Sequence, residues 1–320
     1  MRGLTGFVVR RLLLGLVTLL VASVVIFATT QALPGDAARS ILGRSATPES
    51  LAELRRQLGL DKSVVAQYRE WITGFVTGDL GMSLANRLPV TEVMGERLLY
   101  SVFLMLIAAV ISIPFGIALG AVSARRRDGP FDQVTSILTL GFAALPEFVV
   151  GISLAVLFST TVWNVLPSVI VTEPGVGPWH YPKELILPIT TLVIAVVPYT
   201  ARIMRASTVE ILESDFVEMA RLKGLSESRV LWRHAVPNAL APSFQVAAIN
   251  LAYLAGGIVV VEAVFNYPGI GLLLVDSVRV RDMPVVQAVA LLIAALYVGL
   301  NLLADVATIL VSPRLRTSLE

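Results

Sequence analysis

Long apolar runs separated by short charged stretches dominate this chain. Six of them, roughly 12–33, 98–124, 131–163, 185–206, 241–264 and 285–311, approach or exceed the ~20 residues that a helix needs to cross a bilayer. The pattern predicts an all-α, polytopic membrane protein with six transmembrane helices. Only one sizeable segment, 34–97, is left outside the spans. Within it, Leu51, Leu54 and Leu58 share one helical face between Pro48 and Gly59, which suit the two ends. Over 64–76, Tyr68, Trp71, Ile72 and Phe75 recur at 3–4 spacing. Two or three short amphipathic helices lying on the bundle or the membrane surface are expected there, since too few apolar residues remain for a separate core.

A second polar segment, 215–237, reads DFVEMARLKGLSESRVLWRHAVP and is more ordered than a simple connector needs. Asp215 and Glu218 have the spacing of a cap and its third-position partner. Gly224 suits the position just past a helix end. Ser226 can cap a second helix, with Glu227 in its first turn where the helix dipole favours an anion. Pro237 is expected to close the unit. A helix–glycine–helix with Phe216, Met219, Leu222, Leu225, Val230 and Leu231 as apolar knobs would be a docking surface for a soluble partner.

Composition agrees with the pattern: 56% hydrophobic and 15% charged residues, with a mean hydropathy of +0.79. The formal net charge of +2 makes no case for nucleic acid. The distribution of positive charge is more informative. Fourteen Lys/Arg fall at the termini, at 125–127 and over 202–233, against three (Lys183, Arg279, Arg281) in the short segments of the other set. Both termini and the 215–237 loop are therefore expected in the cytoplasm, with 34–97, 164–184 and 265–284 outside. The first run is longer than the ~7–15 apolar residues of a signal peptide and ends at Leu33-Pro34-Gly35-Asp36, so it is expected to stay as the first helix.

Catalytic chemistry is not indicated. There is no cysteine, hence no disulfide or thiolate site. The two histidines, His180 and His234, read as ordinary loop polarity. No metalloprotease, nucleophile-elbow or EF-hand motif occurs. None of the three lysines, Lys62, Lys183 and Lys223, follows a glycine, so the chain holds no Walker A phosphate loop. No cofactor or metal is expected on this chain. Any ATP and Mg²⁺ would belong to a separate subunit.

Charges inside spans are costly and mark candidate functional groups. Glu147, after Pro146 in the middle of a run, and Glu262, at the end of another, are candidates for the translocation pathway. So are Asn250 and Tyr253, three apart on one face, with Gln245 and Tyr199 as further polar groups. Asp305, four residues after Asn301, reads as a packing or interface group. Ala247, Ala248, Ala255, Gly256 and Gly257 would allow close helix approach. Pro114, Pro146, Pro188, Pro198 and Pro242 are candidate breaks within the runs. One functional class these residues leave open is a secondary transporter coupled to ions through intramembrane carboxylates such as Glu147.

Glu218-Met219-Ala220, three residues, then Gly224 resembles the Glu-Ala-Ala-x3-Gly loop of ABC-importer permeases. The family's following Ile-x-Leu-Pro corresponds to His234-Ala235-Val236-Pro237; Met219, His234 and Val236 depart from the pattern. The wording ARLKGLSESRVLWRHAVPNAL is similar to the dipeptide/oligopeptide branch. So are LPGD (33–36), LGLDKSVVAQYREWITGFVTGDLGMSL (58–84), EAVFNYPGIGLLLVDSVRVRDMPVVQA (262–288) and NLLADVATILVSPRLR (301–316). The resemblance implies a type I ABC importer permease fold in a bacterial inner membrane. The permease would not be an enzyme, but would form half of the path for peptides or similar small solutes. Its implied partners are a second homologous permease, two ABC ATPase subunits and an extracytoplasmic solute-binding protein. It also implies that 207–238 is the ATPase-coupling loop, with Asp215, Glu218, Ala220, Lys223, Gly224, Leu225, Ser226, Arg233 and Pro237 as its site residues. The expected organisation is 1–33, first helix; 34–97, outer segment; 98–316, core permease domain; and 317–320, tail.

Overall fold

The computed structural model describes residues 4–32, 47–57, 61–160, 162–173 and 175–311. In lipid, only a helix satisfies its own backbone within a single segment. The described residues follow that rule: helices throughout, with one isolated bridge between Met82 and Pro89. In chain order the helices are α1 Leu4–Ala32, α2 Pro48–Gln57, α3 Val64–Thr77, α4 Val90–Arg125, α5 Pro130–Ala143, α6 Glu147–Ala155 and α7 Pro182–Leu212. They continue with α8 Asp215–Leu222, α9 Glu227–Arg229, α10 Val236–Phe265, α11 Ile270–Val280 and α12 Met283–Val311. A π-helical turn, Val156–Thr160, extends α6, and another, Val230–Ala235, joins α9 to α10.

Four helices are long and apolar enough to cross a membrane, and six spans result if each of two bent pairs counts as one. One pair is α5 with the α6 segment, bent by 103°; the other is Tyr253–Phe265 with α11, bent by 69°. The run 131–163, expected as one span, is thus two helices meeting at Ala144–Pro146. Of the candidate proline breaks, only Pro146 interrupts its helix. Pro114, Pro188 and Pro198 stay inside continuous helices, and Pro242 lies within α10. α4 starts at Val90, within the last residues of segment 34–97.

α7 is the central helix: 56% of its apolar window is buried, against 11% for α1. It packs on α4, α10, α5 and α6. Leu104 and Ala108 of α4 meet Leu187, Leu192 and Val196 of α7 and Leu254, Ile258 and Phe265 of α10 in the main core. α4 approaches α7 closely because Gly116 and Gly120 carry no side chain. A methyl group at Gly120 would lie 2.3 Å from the Ala201 carbonyl oxygen, and one at Gly116 would lie 2.8 Å from Thr200 Cβ. α1 lies at the edge against α12, with Leu12, Leu13, Leu16, Val17, Leu20 and Val21 exposed as a lipid-facing helix requires. Arg11 of α1 pairs with Asp305 of α12 at 3.0 Å, which gives that intramembrane acid a structural partner.

Two helices, α2 and α3, lie in the polar segment. α3 is capped by Ser63, whose side chain accepts the Ala66 N–H, and ends at Gly78 with φ 86°. Its aromatic face packs on α1: Tyr68 and Trp71 stand 5.4 and 5.7 Å from the Phe27 ring. α2 covers 48–57; Leu58 and Gly59 lie outside the described residues.

Candidate functional site: a presented helix turn and a polar helix break

The charged loop projects from the end of α7 and is braced by its own contacts. Ser214, not Asp215, is the N-cap residue of α8; its backbone is extended, and Asp215 is the first helical residue. One position therefore separates Glu218 from the expected capping role. The C-terminus matches the expectation closely. Gly224 has φ +76°, its N–H donates to the Arg221 carbonyl at 2.9 Å, and the Leu225 N–H reaches back to Ala220 at 3.4 Å. This is the reciprocal pairing of a left-handed glycine terminus. It brings Leu225 onto Val217, Ala220 and Val230, with Ile211 and Leu212 beside them. Ala220 is 7% exposed, so a larger side chain there would displace this small cluster. Arg221 bridges the turn: its Nε donates to Glu227 Oε1 at 2.9 Å and its Nη1 to the Leu212 carbonyl at 3.2 Å.

The six apolar knobs divide by face. Leu225, Val230 and Leu231 turn inward. Phe216, Met219 and Leu222, one turn apart, remain exposed at 46, 54 and 74%. Asp215, Glu218, Lys223, Ser226 and Arg233 are also exposed and supply polar edges. Ser226 is the N-cap of α9, in extended backbone, without a side-chain cap bond. Pro237 does not close the unit. It is the second residue of α10, and the π turn makes the second half of the loop continuous with that helix.

The second candidate region lies at the α5–α6 break. Glu147 is the first residue of α6 and is half-buried. The Tyr253 phenol lies beside its carboxylate, and the Tyr199 phenol lies beside Tyr253. Tyr199 donates to the Ala143 carbonyl, left without a continuing helix by the break, at 3.3 Å. Gly257 makes room for the acid: a methyl group there would stand 3.3 Å from Glu147 Oε1. Tyr199 and Tyr253 sit near the middle of α7 and α10. Glu147, Tyr253 and Tyr199 are thus brought together from three helices.

Asn250 is separated from this cluster despite its spacing from Tyr253. It is 8% exposed and donates to Thr200 Oγ1 at 3.2 Å, a helix-packing bond between α10 and α7. The side chains of Gln245, Ala247 and Ala248 lie outside the described residues. Glu262 is the clearest departure from expectation. It is fully buried, not lining a path. Its carboxylate accepts Ser101 Oγ at 2.5 Å, the Gly271 N–H at 2.6 Å and the Leu272 N–H at 3.3 Å. Ser101 Oγ in turn accepts the Ile270 N–H at 2.9 Å. Glu262 therefore satisfies the orphan donors of the α11 N-terminus. Gly269 and Gly271 are needed beside it: methyl groups there would come 2.1 Å from the Glu262 carboxylate and 2.4 Å from Val259 Cα.

Two anchored carboxylates escaped the sequence reading. Asp132, 3% exposed, accepts Arg205 Nε and Nη2 at 2.5 Å each, the Asp128 N–H at 3.0 Å, and the Ser123 hydroxyl. It ties the end of α4 and the start of α5 to α7, near the projecting loop. Asp282 accepts the Ser83 hydroxyl and the Leu84 and Ala85 N–H groups, fixing the loop before α4 to the start of α12. A signal for Asp132 existed in its position three residues after Gly129, in the first turn after a Gly-Pro helix start. The Gly116-x3-Gly120 spacing was legible as well.

The described residues thus form a polytopic helical membrane protein with a projecting, apolar-faced helix turn and a polar helix break. The model for the binding-protein-dependent transport system inner membrane component matches residues 112–317, and that for the N-terminal part of such membrane components matches residues 4–105. The chain belongs to this family and is a multi-pass inner-membrane permease component of an ABC importer. It is 35% identical to the probable peptide ABC transporter permease protein y4tP of Sinorhizobium fredii, over 97% of this chain and 99% of that one. It is 38% identical to the glutathione transport system permease protein GsiC of Pectobacterium atrosepticum, and 37% to the protein of that name in Escherichia coli K12, with the same coverage.

Proposed function

We propose that this chain is one of two permease subunits of an importer for peptides or similar small solutes, such as glutathione. In this reading it forms half of the path, and a second homologous permease forms the other half. ATP, with Mg²⁺, is bound and hydrolysed by two separate ATPase subunits, and an extracytoplasmic binding protein delivers the solute. The observation that carries the proposal is the exposed Phe216, Met219 and Leu222 face on a turn fixed by Gly224 and Arg221. Apolar side chains held rigidly on a polar projection are a docking surface, and rigidity lets a moving partner drive the helices joined to it. α8 follows α7 directly and the π turn leads into α10, so displacement of the loop bears on the two helices that hold Tyr199 and Tyr253. Glu147 and these phenols are the path-facing groups in this reading.

The test is purification of the tagged chain from its own membrane. Stoichiometric ATPase subunits are expected, and their loss from the Phe216→Glu/Met219→Glu variant, with the second permease retained. Undiminished ATPase binding by that variant rejects the docking surface. Solute uptake by the wild-type chain without any ATPase would point instead to ion-coupled transport.

A further inference from the structure

Glu147 is an acid placed at the helix break, the first residue of α6. Among the described residues its carboxylate joins no ion pair, in contrast to Asp132 with Arg205 and Asp305 with Arg11. The Tyr253 phenol stands beside it, and the Tyr199 phenol, close to Tyr253, bonds the Ala143 carbonyl at the same break. The cluster is open: Tyr199 and Tyr253 are 39 and 49% exposed, and Leu145 and Phe148, on either side of the acid, are 45 and 46% exposed. An acid and two phenols facing lipid would be expensive. This face therefore meets water or a partner subunit.

The chemistry of the cluster selects what it can hold. A carboxylate takes a charge-assisted hydrogen bond from an N–H⁺ donor, and tyrosine ring faces attract cations. An anion would be repelled. A hard divalent ion needs several oxygen ligands, and no group of three acidic or histidine side chains occurs among the described residues. We infer that Glu147, Tyr199 and Tyr253 form a way-station for the primary ammonium group of the transported solute. The inference rests on the path reading above and narrows the cargo to solutes with a free amino group. On arrival, the ammonium donates to the Glu147 carboxylate, with the Tyr253 phenol beside it.

The chain has no cysteine, so a cysteine placed in it is unique within the subunit. Leu145→Cys and Phe148→Cys, each in the assembled complex, report on both sides of Glu147. The probes are the cationic aminoethyl and the anionic sulfonatoethyl methanethiosulfonates, with rates normalised to a free thiol in solution. The expected result is a cation preference of about tenfold that falls to near unity when Glu147→Gln is added. A ratio near unity with Glu147 present, or a preference that survives Glu147→Gln, overturns the ammonium site and leaves the path reading standing. If neither reagent labels these positions, with or without ATP, while exposed Val76→Cys is labelled, both readings fail. Protection of Leu145→Cys from neutral methyl methanethiosulfonate by glycinamide, and not by N-acetylglycinamide, is expected at saturating concentration; equal effects overturn the inference.

Discussion

Glu262 illustrates how one side chain can organise a motif. Its carboxylate receives three donors, two of them backbone N–H groups at the start of α11, and the glycines of Asn-Tyr-Pro-Gly-Ile-Gly, 266–271, leave it the room. Leaving buried donors unpaired costs about 1–3 kcal/mol each. Glu262→Ala is therefore expected to destabilise the chain by about 3 kcal/mol or more, read as a lower melting temperature of the purified complex. Gly271→Ala, which forces a methyl group against Val259 Cα, is expected to act in the same direction. A melting temperature unchanged in both variants would remove the structural role. The position of Glu262 at the end of an apolar run was legible in the sequence, whereas its burial was not. The hydroxyl it accepts belongs to Ser101, 161 residues away, and no local pattern announces that meeting.

At the scale of elements, the glycine terminus of the projecting loop was legible because its determinants are local, whereas the cap at Ser214 and the run of Pro237 into α10 were not. A left-handed residue at a helix end favours glycine, and a residue with a Cβ costs about 1–2 kcal/mol there. Gly224→Val is expected to leave insertion intact and to lower solute uptake per ATP hydrolysed in the reconstituted complex. Normal coupling would reduce the loop to a connector. The α4–α5–α7 junction was not read in the same way, since Asp132 and Arg205 are 73 residues apart. Removing one partner of a buried ion pair costs about 3–5 kcal/mol. Arg205→Met alone should thus lower the yield of folded complex sharply, and Arg205→Met with Asp132→Leu should recover much of it. Equal loss in the single and double variants would contradict an electrostatic role for this pair.

For the whole molecule, the 14-to-3 distribution of positive residues sets the expected orientation. A reporter active only in the cytoplasm should be active when fused after Arg127, Lys223 or Arg316, and silent at Ala85 or Gly177. Activity at Ala85 would overturn the six-span arrangement. The contrast between buried α7 and exposed α1 adds an expectation about assembly. Substitutions along α7 should disturb folding of the subunit, while the outer face of α1 should tolerate exchange among apolar residues. The readout is the recovered amount of complex.

Hydrophobic run length and the ordered motifs determined, by themselves, that this is a helical membrane protein of the importer-permease class. The amphipathic α3 and the glycine terminus of α8 were also legible, since helix periodicity and left-handed backbone geometry are properties of short segments. Tertiary structure alone decided which proline breaks its helix. Pro114, Pro188 and Pro198 stay within continuous helices, whereas Pro146 opens its segment where Tyr199 takes the freed Ala143 carbonyl and Gly257 admits the acid. It also decided the fates of the carboxylates. Asp132 pairs with Arg205, Glu262 is absorbed by the start of α11, and Glu147 is left open beside the Tyr253 phenol. A carboxylate's role in a membrane is set by the partners that packing brings to it, and the deciding ones here, Arg205 for Asp132 and Ser101 for Glu262, lie far away in sequence.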